Sequence, residues 1–132
     1  MKPDRGRNLN DGNAVVNRTE LQRLAQERIG DAKVLLAARR WPAAYYLAGY
    51  AVECALKACI AKLMKSEELP DKKFAEKCWT HNLKQLLDLA GLKVGFDAAL
   101  KTDPDLLNNW NTVEDWNEGS RYDRTTKAKA EN

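Results

Sequence analysis

Tyr46, Tyr50, Glu53 and Lys57 are the residues whose types and spacing best suit chemistry in this chain of 132 residues. On a helix turning about 100° per residue they fall within about 60° of one another, so two phenols, a carboxylate and an ammonium share one polar seam. Glu53 stands four residues before Lys57, the favourable order for a helical ion pair, worth about 0.2 to 0.5 kcal/mol when exposed. A charged stripe is usually a helix's solvent face. The other reading sets the seam against a dimer partner or a ligand groove, where tyrosines stack on a base and the charged pair holds polar groups.

A second group, Arg121, Tyr122 and Arg124, lies near the end of the chain. An Arg fork matches phosphate or carboxylate geometry and the tyrosine offers a stacking face. Equally, Arg121 can pair internally with Glu53 or Asp31 and fix the last helix. His81, between Thr80 and Asn82, reads first as a docking residue whose ring bonds to backbone and second as a ligand contact. It is the single histidine, with no Asp, Ser or Cys at a recognisable catalytic spacing, so no catalytic residue is assigned.

Cys78 and His81 have the C-x-x-H spacing of half a zinc site, with Cys54 and Cys59 as the conceivable other half. Five residues turn a helix by about 500°, which leaves those two sulfurs about 140° apart. No metal site is expected, and Cys54 and Cys59 read as small core residues. Neither G-x-G-x-x-G nor G-x-x-x-x-G-K occurs, so a bound nucleotide must be held by side chains, and no cofactor is expected.

Helices must position these groups. Thr19 and Gln22 match a capping box that starts a first helix, carried on by Leu21, Ala25, Ile29, Ala32 and Leu36 to near Arg40. Pro42 suits the first turn of a second helix, which runs to about Lys65 as the longest apolar element and hence the centre of the fold. Residues 66–77 form a charged linker around Pro70, with room for a helical turn. Leu83 to Ala90 make a third helix stopped by Gly91, Phe96 to Lys101 a short helical piece, and Asp103-Pro104 opens a fourth reaching Trp116. No segment alternates with period two. The fold expected is an all-α, antiparallel four- to five-helix bundle over residues 19–124, with a disordered leader at 1–18 and a disordered tail at 125–132.

Composition narrows the function classes. Apolar residues make up 44% and charged residues 31%, with 7 Gly and 4 Pro, which excludes disorder throughout, collagen and a disulfide scaffold. The charge of +3 falls short of the excess that marks a nucleic-acid-binding domain. Three cysteines, an odd number, and an opening without an apolar secretory segment point to a reduced, cytoplasmic setting. The longest nearly uncharged stretch, Trp41 to Val52, is short of the ~20 residues a membrane helix needs, so no membrane partner is expected. Four Trp and an almost wholly apolar second helix exceed what one small subunit easily covers, which predicts a homodimer.

Taken together, four segments resemble the HEPN family, the higher eukaryotes and prokaryotes nucleotide-binding domains. They are A-x-x-R-x-x-D-A (Ala25 to Ala32), Tyr45 to Ile60 with its E-x-x-L-K-A core at Glu53 to Ala58, T-H-N-L-x-x-L (Thr80 to Leu86) and W-x-x-x-x-R-Y (Trp116 to Tyr122). The resemblance spans about Leu21 to Asp123. It implies a helical bundle that commonly dimerises around a groove. Many such proteins are ribonucleases of toxin–antitoxin pairs that use an Arg four to six residues before a His. Others are non-catalytic partners of minimal nucleotidyltransferases, or bind nucleotides or RNA. Here His81 would need that Arg at 74, 75 or 76, which hold Phe74, Ala75 and Glu76, so the ribonuclease motif is absent. The expectation is a non-catalytic module with Tyr46, Tyr50, Glu53, Lys57, Arg121 and Tyr122 as its ligand-binding residues. A ribonuclease with a substituted site built on Arg121, Tyr122 and Glu53, and a purely structural helical adaptor, are the alternatives.

Overall fold

The computed structural model describes residues 17–64, 72–117, 119 and 127–132. Its helices run in the order α1 (Arg18–Ala37), α2 (Trp41–Leu63), α3 (Lys72–Lys77), α4 (Leu83–Leu89), α5 (Lys93–Thr102), α6 (Pro104–Val113) and α7 (Lys127–Glu131), with no strand among the described residues. The all-α expectation holds. α1 and α2 pack along most of their lengths, α4 and α7 lie on α2, and α5 pairs with α6.

The central place of α2 follows from its apolar run. It buries Tyr45, Leu56 and Ile60 against Leu83, Leu86 and Leu87 of α4 and against Trp116. Each such side chain contributes about 1.5 to 3 kcal/mol through burial. Tyr45 keeps its hydroxyl satisfied by donating to the Thr112 carbonyl at 3.0 Å, which ties α2 to α6. Gly49 lets the Trp116 indole lie directly on α2, since an added Cβ would come within 2.3 Å of the ring.

Local chemistry sets most of the boundaries. Asp103 caps α6 by accepting the Leu106 N–H at 3.1 Å, with Pro104 following as expected. α1 differs from expectation: Asn17, a stronger N-cap than Thr19, accepts the Glu20 N–H at 2.9 Å, and the helix starts at Arg18. The supposed tail also differs. Residues 127–131 form α7, because Lys-Ala sequence has good helix propensity, Ala130 packs on the core and the Lys129 ammonium sits 4.6 Å from the Tyr45 ring centre. The expected leader at residues 1–16 lies outside the described residues.

α1 and α4 close in the same way. In each, the residue after the C-cap adopts a left-handed conformation while two N–H groups reach back to the last turn. At α4 this residue is Gly91 (φ 74°), with Gly91 N–H to Asp88 O at 2.9 Å and Leu92 N–H to Leu87 O at 3.2 Å. At α1 it is Arg39 (φ 65°), with Arg39 N–H to Leu36 O at 3.0 Å and Arg40 N–H to Leu35 O at 2.8 Å. Glycine takes this conformation freely, and arginine pays a steric penalty of roughly 1 to 2 kcal/mol.

Candidate functional site

The seam on α2 turns inward. Glu53 is only 4% exposed, and a carboxylate so far from water needs partners. Lys57, one turn along, places its ammonium 3.0 Å from Oε2. His81 brings Nδ1 to 3.0 Å from both carboxylate oxygens. The histidine is aimed by its neighbours: Thr80 Oγ1 accepts the Asn82 N–H at 3.1 Å and donates to Gln85 Oε1 at 2.9 Å. Asn82 in turn caps α4 by accepting the Gln85 N–H at 3.0 Å. The Thr-His-Asn segment is therefore a capping device that presents the ring to α2.

Above the carboxylate lies a cleft of about 290 Å³, floored by Tyr50, Glu53, Cys54 and Lys57 and walled by Leu21 and Leu24 of α1 and by Cys78 and Trp79. Trp79 is 79% exposed, an indole face presented to solvent. Burial, and after it the neighbouring Glu53 charge, pushes the Cys54 thiol up from its ordinary value. Burial raises Cys78 against the pull of Lys57, and Tyr50 is raised by burial and then by Cys54 and Glu53. Both thiols therefore stay protonated near neutral pH and are poor nucleophiles. Among the described residues no three His, Cys, Asp or Glu side chains are grouped to hold a metal ion. The cleft offers stacking faces, a carboxylate and an ammonium, which is equipment for binding a flat, polar ligand.

A family model of the HEPN domain matches residues 19–132. The chain belongs to the HEPN domain family. No curated protein and no solved structure matches it. Among the described residues no helix is long and apolar enough to cross a membrane.

In this HEPN domain the residues singled out from sequence separate into three groups. Tyr50, Glu53 and Lys57 meet in the cleft. Tyr46 lies outside it, half-buried, with its ring centre 5.6 Å from that of Trp116. Arg121, Tyr122 and Arg124 fall outside the described residues. His81 docks on α2 through the Glu53 carboxylate, a side-chain partner that the sequence reading did not name. Cys54 is buried as expected, whereas Cys59 is exposed, because the 140° between them carries it off the core face.

Sequence reasoning missed Trp79 and Arg28. Trp79 had a signal in its place two residues before His81. Arg28, the Arg of A-x-x-R-x-x-D-A, pairs with Asp31 at 3.3 Å, and its charge reaches Tyr50 and Cys54 across the α1–α2 interface. On the far side of His81 a more polar hollow of about 400 Å³ is lined by Asn82, Lys84, Asp115 and Trp116, with Lys84 and Asp115 3.2 Å apart.

Proposed function

We propose that this HEPN domain is a non-catalytic nucleotide- or RNA-binding module of the cytoplasm, working as a homodimer beside a minimal nucleotidyltransferase in a toxin–antitoxin-type pair. The ligand enters the cleft over Glu53, where a base stacks on Trp79 and Tyr50 and the Glu53–Lys57 pair meets its polar groups. The observation that carries this reading is the buried Glu53 carboxylate, held by Lys57 and His81 at the floor of a cleft that Tyr50 and Trp79 also line. A buried carboxylate with a half-buried ammonium beside it adds little to stability, because apolar side chains of similar volume serve as well or better. What supports the oligomeric and partner assignments is the habit that the family resemblance implies, together with exposed apolar side chains such as Val34, Leu63 and Val94.

Equilibrium titration with mononucleotides and a short RNA, on wild type, Glu53→Gln and Trp79→Ala, tests the reading. Glu53→Gln keeps the shape and removes the charge, so a loss of about tenfold or more in affinity, with the fold retained, is expected. Identical affinities in all three proteins would remove the cleft from the function. Cleavage of labelled RNA by the wild-type protein would replace the non-catalytic reading with that of a ribonuclease with a substituted site.

A further inference from the structure

We infer that the opposite end of α2 carries a second surface, made to hold the phosphate backbone of single-stranded RNA. It is separate from the cleft and does not depend on the cleft reading. Arg39 and Arg40 form the turn between α1 and α2, and Trp41 and Tyr45 follow on one face of α2. α7 lies across that face, with the Lys127 ammonium 6.0 Å from the Trp41 ring centre and that of Lys129 4.6 Å from Tyr45. Two lysines thus sit on two aromatic rings, and two arginines precede those rings in the turn.

Two features mark this end as more than an ordinary solvated face. Arg39, Arg40 and Lys127 are exposed, and none of them pairs with a carboxylate among the described residues. In addition, Arg39 occupies the left-handed closing position that Gly91 fills at the end of α4. A cation is kept there at a steric cost that glycine would avoid. Guanidinium forks match phosphate oxygens in pairs, and the half-buried Trp41, next to Arg40 in sequence and 6.0 Å from the Lys127 ammonium, adds an indole on which a base can stack. That aromatic component favours a nucleic acid over an acidic protein surface.

The test is fluorescence anisotropy of a labelled single-stranded RNA across a range of salt concentrations. It uses the full chain as wild type, the triple variant Arg39→Gln, Arg40→Gln, Lys127→Gln, and Arg39→Gly alone, each checked for helicity by circular dichroism. Each phosphate contact contributes about 0.7 to the logarithmic salt slope on a single strand. Three lost contacts should flatten the slope by about 2 and weaken binding on the order of 100-fold at 0.1 M salt. Arg39→Gly should bind RNA about fivefold more weakly while melting at a higher temperature, a combination that a merely structural arginine would not give. RNA binding by the triple variant with wild-type affinity and slope overturns the proposal. So does binding to phosphatidylserine vesicles with none to RNA. Glu53→Gln serves as the separating control: if it loses mononucleotide binding and keeps the salt slope for RNA, the two surfaces are distinct. If mononucleotides bind nowhere and the triple variant still loses RNA, the cleft reading fails and this one stands.

Discussion

The middle of α2 and its N-terminal end use the same kinds of residue, cations beside aromatic rings, in opposite settings. Around Glu53 the carboxylate is buried and satisfied, so the half-buried Lys57 and His81 are fixed by a group that has little contact with water. Around Trp41 the cations Arg39, Arg40 and Lys127 stand in solvent. The difference is one of consequence. Deleting a partner side chain in the first region unsettles the fold, whereas deleting a charge in the second changes mainly what the surface attracts.

The largest effect expected from this contrast is that of Lys57→Ala. Among the described residues it leaves the Glu53 carboxylate with His81, and because Lys57 retains some exposure the cost should be about 2 to 4 kcal/mol, read by chemical denaturation. The triple Gln variant at the basic end should stay within about 0.5 kcal/mol of wild type in the same assay. Equal losses in the two proteins would break the comparison.

Gly49→Ala sharpens it by disturbing the seam's surroundings with no change of charge. The new Cβ must displace the Trp116 indole, so stability should fall by about 1 to 3 kcal/mol, and a crystal structure should show the ring moved. An unchanged melting temperature would mean that Trp116 does not lie on α2.

The buried region also has a pH signature. Burial raises the Cys54 thiol above its usual 9.0, so above that pH the unfolded chain releases this proton before the folded one. Stability conferred by the protonated thiol is therefore complete below pH 9 and is lost as pH rises through the folded value. The slope is at most about 1.4 kcal/mol per pH unit. Cys54→Ala should flatten the decline of melting temperature above pH 9, and an identical profile in the variant would count against burial of this thiol beside Glu53.

The smallest effect is a gain. Arg39→Gly relieves the left-handed strain at the α1–α2 turn and should raise stability by about 0.5 to 1 kcal/mol in thermal melts. A loss would show that the arginine side chain helps hold the turn.

Much of the fold was legible because its signals are local. The apolar run of α2, the Asp103-Pro104 start of α6 and the stop at Gly91 act through neighbours in sequence. The seam was legible in part: angle alone placed Tyr50, Glu53 and Lys57 together, yet could not say that they face inward, which depends on α1 and on the segment carrying His81. The Glu53–His81 contact joins residues 28 positions apart, and no periodicity reports a pairing at that distance. α7 was missed because a Lys-Ala stretch has no apolar stripe of its own and is held by contacts with Tyr45 and the core.

Amide NMR of the full chain, titrated with a mononucleotide and then with single-stranded RNA, tests the central claim in both regions at once. A mononucleotide should shift the resonances of Tyr50, Glu53, Lys57, Trp79 and His81 and leave Arg39, Arg40 and Trp41 unmoved, while RNA should shift both sets. Mononucleotide shifts confined to the basic end, or none at the cleft, would contradict the account.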